Sequence, residues 1–238
     1  MNYLELCNAV LLELNEVELT SSNFATAVGE YSMIKDAVNS AIRYINQHEY
    51  EWPFNHVTEE ETLTAGIVRY AFPSDAKTLD FDSFRIKRNA TLGNDTKRIK
   101  TITYEEYLDK YVDAEYNTAT SVRGFPDYVF RTPNQEFGFV RCPDKAYTVV
   151  YEYYRLPVDL LNATDVPTIP EQFRYIIVDG AMHYAYMFRG ETQEAQVAQG
   201  RFLDEIKNMR SLYINRYDYA RSTAIQQNRT SVSSFRVF

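Results

Sequence analysis

The chain has 238 residues, 45% hydrophobic and 24% charged, which is room and material for one large folded domain or two small ones. Its formal charge of −8 argues against a general grip on a phosphate backbone, which normally needs a basic face. Cys7 and Cys142 give neither a disulfide framework nor a zinc spacing and fit a reducing compartment, while no signal-peptide pattern or bilayer-length apolar run is present.

Leu4, Cys7, Val10, Leu11 and Leu14 recur at helical spacing and predict a first helix from Tyr3 to Val17. Thr20 to Asn23 is loop and capping chemistry. A second amphipathic helix carries Tyr31, Ile34, Val38, Ala41, Ile42 and Ile45. It stops at Glu51-Trp52-Pro53-Phe54, where proline cannot continue a helix and the only tryptophan sits. Trp52, Pro53 and Phe54 are therefore expected to form a structural plug.

From Phe54 to Tyr154 the period changes to that of strands. Val57–Leu63 and Ile67–Phe72 flank Ala65-Gly66 and predict a hairpin. Phe81 to Arg88 alternates as a half-buried strand does, Asn89 to Asp95 forms a turn, and Arg98 to Ile102 returns. Thr103-Tyr104-Glu105-Glu106 is a capping box opening a short helix to Val112. After a polar loop, Tyr128–Phe130, Phe137–Arg141 and Tyr147–Tyr154 complete a sheet, the last two separated by a Pro143-Asp144 turn. Pro170 occupies the first position of a third long helix, which Gly190 breaks. A fourth runs from Thr192 to Tyr219.

The pattern predicts an α+β fold. Two N-terminal and two C-terminal helices, in residues 1–54 and 165–221, form a four-helix bundle. Residues 55–164 form a central antiparallel β insertion. Residues 222–238 are too poor in apolar mass for a core. The flexible stretch after Tyr219 carries Arg221, Arg229 and Arg236, has no acidic side chain, and ends Phe235-Arg236-Val237-Phe238. It suits a docking peptide, with phenylalanines and a valine as anchors and arginines to pair with acidic groups.

Chemistry is otherwise sparse. His48, His56 and His183 form no metal-binding spacing. The glycines make no phosphate-binding loop or nucleophile elbow, and no base-partnered nucleophile is readable. Glu59-Glu60-Glu61 and Asp80-Phe81-Asp82 read as solvated edges. An enzyme, a cofactor and a metal are accordingly not expected. Basic residues cluster once, at Arg85, Lys87, Arg88, Lys97, Arg98 and Lys100. Arg85 and Lys87 share one strand face, as do Arg98 and Lys100, so a basic hairpin face is expected to meet phosphates or an acidic neighbour. The 20 tyrosines allow a rival reading, a single-stranded nucleic-acid binder with stacking platforms. A scaffold protein is another.

Three stretches taken in order resemble the bacteriophage head–tail adaptor family, which includes the tail tubular protein A of short-tailed phages. The first is Tyr3-Leu4-Glu5-Leu6 with the helix from Ala41 to Trp52. The second is Gly124-Phe125-Pro126-Asp127-Tyr128 followed by Phe139 to Val149. The third is Val166-Pro167-Thr168-Ile169-Pro170-Glu171 before the last helical hairpin. The resemblance implies a virion neck protein made in the host cytoplasm, with no membrane role. It implies a homo-oligomeric ring, typically of twelve copies, beneath the portal protein. Such a ring lines the channel through which genomic DNA passes and offers a platform to the nozzle or tail protein. Portal docking then maps onto Arg229, Phe235, Arg236, Val237 and Phe238, and inter-subunit or tail contact onto Arg85, Lys87, Arg98 and Lys100.

Overall fold

The computed structural model describes residues 1–48, 51–87, 95–116 and 119–213. In chain order its elements are α1 (Tyr3–Glu13), α2 (Glu30–His48), β1 (His56–Leu63), β2 (Arg69–Ala71), β3 (Ala76–Lys87), β4 (Thr96–Arg98), β5 (Lys100–Ile102), α3 (Tyr104–Lys110), α4 (Val112–Tyr116), β6 (Tyr128–Arg131), β7 (Glu136–Val140), β8 (Tyr147–Arg155), α5 (Tyr175–Arg189) and α6 (Thr192–Tyr213). The fold is mixed α+β. The chain divides into a helical unit, drawn from residues up to 50 and from 159 onward, and a β-rich unit of residues 51–158.

In the helical unit, α1 opens with a reciprocal cap. Asn2 Oδ1 accepts the Glu5 amide at 2.9 Å, and the Glu5 carboxylate accepts the Asn2 amide at 2.9 Å. This satisfies two of the amides that a helix start leaves orphaned. The helix buries Tyr3, Leu6, Cys7, Val10 and Leu11 and ends earlier than Val17, because the Asn15 and Glu16 amides fold back onto Leu12 and Leu11. On α2 the stripe Ile34, Val38, Ala41, Ile42 and Ile45 is buried.

Pro170 does not start α5. It is extended at ψ 145° and caps a 3-10 turn over Glu171–Phe173, and α5 begins at Tyr175. Gly190 closes α5 in the left-handed region at φ +82°, with the Glu191 amide donating to the Tyr186 carbonyl at 3.0 Å. This is the usual use of glycine beyond a helix C-terminus. Helix α5 packs against α2, α6 and α1. Gly180 permits close approach to α2 and α6: a Cβ there would sit 2.8 Å from the Ala41 Cβ and 2.7 Å from the Phe202 ring. The expected continuation to Tyr219 and the segment 222–238 lie outside the described residues.

Among the described residues the β-rich unit holds two four-stranded sheets, ordered β1-β8-β3-β4 and β2-β7-β6-β5. The expected hairpin does not form: β1 pairs with β8 and β2 with β7. Ala65-Gly66 is a turn, with Gly66 at φ +85°, but the Gly66 amide donates to the Pro143 carbonyl and the chain changes sheets there. Nor is the β region wholly antiparallel. β5 and β6 run parallel because residues 103–127, carrying α3 and α4, supply the crossover that parallel neighbours require. Arg98 to Ile102 is two strands, divided at Ile99, whose amide donates to the Phe84 carbonyl at 2.9 Å.

The sheets share one core that includes Leu63, Phe84, Ile86, Ile99, Val129, Phe137, Phe139, Val149 and Tyr151. Phe84 stacks on Tyr151 at 4.9 Å and meets Phe137 edge-on at 5.3 Å, geometries that satisfy ring quadrupoles. Alternation then sends Phe130 and Val140 to the opposite face of the second sheet, where they pack with Tyr107 of α3. Phe130 lies across its strand partner Gly138, which has no room for a Cβ, and stacks on Tyr107 at 3.8 Å. At α3 only half of the anticipated capping box forms. Thr103 Oγ1 accepts the Glu106 amide, but the Glu106 carboxylate takes the Lys110 ammonium at 2.8 Å.

The two helical glycines make a paired test. Gly180→Ala is expected to destabilise the helical unit by about 1–3 kcal/mol, because the Ala41 Cβ is fixed to backbone and overpacking outweighs helix propensity. Gly200 has nothing within 4 Å of an added Cβ, so Gly200→Ala is expected to stabilise by about 0.5–1 kcal/mol. Denaturant midpoints of the two variants measure both.

Candidate functional site

The basic residues singled out from sequence are split between the sheets. Arg85 and Lys87 lie on β3, Arg98 on β4 and Lys100 on β5 of the second sheet. Phe84 and Ile86 face the core, so Arg85 and Lys87 face outward. Arg85 and Arg98 are register partners, a like-charge pairing that costs stability unless offset. The offset comes from Asp82, which accepts Arg98 at 3.0 Å. Lys87 reaches Glu60 at 2.6 Å and Lys97 reaches Asp127 at 2.9 Å. The expected uniform basic face is thus a mixed one. Arg85 and Lys100 are exposed and have no side-chain hydrogen bond or ion pair among the described residues.

The acidic spots also have local tasks. Glu59 and Glu61 sit on the edge strand β1 and share its inward side with Leu63, half-buried. Inward charge on an edge discourages further strand pairing. Burial pushes the Glu61 carboxyl up, partly opposed by the Tyr151 hydroxyl that donates to it at 3.4 Å. Asp80 and Asp82 are exposed and lie where β3 is paired by β8 but not by β4. They mark a bulge in β3, where residues 81–84 oppose a single residue of β8. Ser83 Oγ donates to the Asp80 carbonyl at 2.5 Å and accepts the Glu152 amide at 2.9 Å. That hydroxyl restores the ladder bond the bulge removes.

Trp52 is buried and its ring stacks on Phe54 at 5.5 Å, with Pro53–Asn55 forming a 3-10 turn. His183 Nδ1 donates to the Ala195 carbonyl at 2.9 Å, and His56 lies 3.2 Å from Glu152. Arg229, Phe235, Arg236, Val237 and Phe238 lie outside the described residues.

Two polar clusters had no sequence signal, because each joins residues far apart in the chain. In the β-rich unit Arg69 makes two 2.8 Å bonds to the Glu115 carboxylate, which also accepts the Tyr107 hydroxyl. This clasps α4 to β2 and to α3. Burial alone would raise the Glu115 carboxyl, but the bonds from Arg69 and Tyr107 prevail and hold it below the ordinary carboxylate range. In the helical unit the buried Asn39 donates to the Leu160 carbonyl and accepts the Leu160 amide, both at 3.0 Å. It also donates to the Tyr3 hydroxyl at 3.1 Å, and that hydroxyl donates to the Lys35 carbonyl at 2.9 Å. Arg43 pairs with Asp159 alongside.

The described residues thus comprise a β-rich unit whose outward strand positions carry charge and a separate helical unit. The family described as SU10 adaptor protein matches residues 1–230. The chain belongs to that family, a family of phage head–tail adaptors, and is a phage structural protein. A comparison with curated proteins finds no match.

The Glu115 clasp gives a pH dependence. Its folded value is depressed, so its contribution is complete above the ordinary carboxylate range and is lost as pH falls through the folded value. Acidification is expected to destabilise the unchanged chain more steeply than Glu115→Gln, read from melts across that range. Arg69→Ala is expected to cost about 2 kcal/mol at neutral pH.

Proposed function

We propose that this protein works as a head–tail adaptor ring that docks on the portal, extends the DNA channel and gives the tail its attachment platform. The observation that carries the reading is a family match spanning residues 1–230, which takes in both units rather than one shared module. The ring is proposed to hold twelve copies. The four long helices are read as a bundle forming the body of each subunit, with the β-rich unit as an insertion.

A closed ring needs two different, complementary faces on every subunit. Of the four basic candidates, Arg85 and Lys100 have no side-chain hydrogen bond or ion pair among the described residues, so inter-subunit or tail contact falls to them first, while Lys87 and Arg98 are paired with Glu60 and Asp82. Portal docking falls to Arg229, Phe235, Arg236, Val237 and Phe238. The net charge of −8 suits a channel that lets DNA slide, since a basic lining would hold it by counterion release. Single-strand binding is the weaker reading: the net charge of −8 opposes it, and Tyr3, Tyr107, Tyr147, Tyr151 and Tyr153 are buried in cores, although Tyr116 and Tyr175 are exposed.

The test is mass by light scattering, for the protein alone and with its portal. A ring, or a discrete complex with the portal that is lost on deleting residues 222–238, is the expected result. A monomer indifferent to the portal overturns the docking role. Reversing charge at Arg85 and Lys100 together is expected to weaken ring or tail association at least tenfold while leaving the melting temperature within about 2 °C.

A further inference from the structure

Helices α2 and α5 leave an apolar groove of about 350 Å³ between them. Ile34, Ala37 and Ala185 form its floor, each less than a tenth exposed, whereas Phe188 on its wall is 61% exposed. A large aromatic ring left open beside a formed groove is a docking surface rather than scattered surface apolarity. The rim is acidic. Arg189 is matched twice, by Glu16 at 2.8 Å and by Glu30, and Asp36 is exposed with no ion pair among the described residues. The rim thus carries an excess of negative charge. The floor is apolar and the polar groups stand at the rim, so the groove suits side-chain anchors of a peptide better than a polar small molecule.

We propose that this groove seats residues 229–238 of the same chain while the subunit is free. The chemistry matches on both counts. Phe235 and Phe238 are three residues apart, the spacing that puts two anchors on one face of a helical turn. Arg229 precedes them and Arg236 lies between them, and residues 219–238 contain no acidic side chain to oppose the rim.

The reach is sufficient. The described part of helix α6 runs to Tyr213, whose ring packs 5.5 Å from Phe173 beside the start of α5. From there the groove lies about 20 Å along α5, at 1.5 Å per residue. The residues between 213 and 235 span roughly 70 Å when extended. Every part belongs to the helical unit. The proposal does not depend on portal docking, although it names a second seat for the same anchors, from which a portal would have to take them.

The experiment is limited trypsin digestion of the full chain without portal, following cleavage after Arg229. Two variants are compared with the unchanged chain: Phe188→Ser, at an exposed position, and the double change Phe235→Ser with Phe238→Ser. Cleavage is expected to accelerate about tenfold in each, and no further when they are combined, because both break one contact. Equal rates in all chains overturn the proposal. Protection that grows with protein concentration alongside a ring mass also overturns it, by placing the seat on a neighbouring copy. Hydrogen exchange over residues 33–37 is a second readout that leaves the groove unaltered. It is expected to quicken in the double variant, and unchanged exchange counts against the seat. Because no portal is present, failure here leaves the portal reading standing.

Discussion

The helical unit depends on a hydrogen-bonding constraint at its centre. A chain that leaves a helical layer and re-enters it after more than a hundred residues must bring backbone amides and carbonyls into an apolar interior. Each buried one needs a partner. Asn39 meets that need with a side-chain amide that reads the Leu160 backbone as a strand would, giving one donor and one acceptor, both at 3.0 Å. The same side chain fixes the Tyr3 hydroxyl and so sets α1 against α2. Arg43 with Asp159 completes the re-entry in a wetter position, where an ion pair is worth little by itself. The buried amide is the costly contact to lose, since its removal orphans two backbone groups at once.

The β-rich unit solves a different problem, the close packing of many aromatic rings. Phe84 reaches the sandwich core because four residues of β3 bulge opposite one of β8. Asp80 and Ser83 make that bulge stable by supplying the bonds the ladder lacks. Gly138 is small for the opposite reason: the Phe130 ring occupies the space its side chain would take. One sheet therefore presents aromatic rings on both faces, to the other sheet and to α3. The result is a three-layered β-rich unit held by interdigitated rings.

Apolar periodicity located α1, α2, α5 and α6 because each buries one continuous stripe. Gly190 was readable as a helix stop because only a left-handed residue closes that turn. Strand existence was legible in β1, β3, β6, β7 and β8, but pairing was not. Ala65-Gly66 has the composition of a hairpin turn, and nothing local reveals that β1 finds β8 nearly ninety residues on. Ile99 likewise appears to continue a strand until its amide is seen to serve Phe84. Among the candidate site residues, the clustering of Arg85, Lys87, Arg98 and Lys100 was legible, whereas their partners Glu60 and Asp82 were not. Arg69, Glu115 and Asn39 carried no signal, since a polar residue reveals a buried role only through what it touches.

The insertion of the β-rich unit has a consequence for synthesis. Helices α1 and α2 leave the ribosome first, yet α5, which covers their apolar stripes, follows only after residues 51–158. At roughly 5–20 residues per second the wait is about 5–20 s. The β-rich unit needs no later segment for its own core and completes itself in that interval, while Ile34, Val38 and Ile45 stay uncovered. The nascent chain is thus most open to miscontact, and most in need of a chaperone, before its last eighty residues appear.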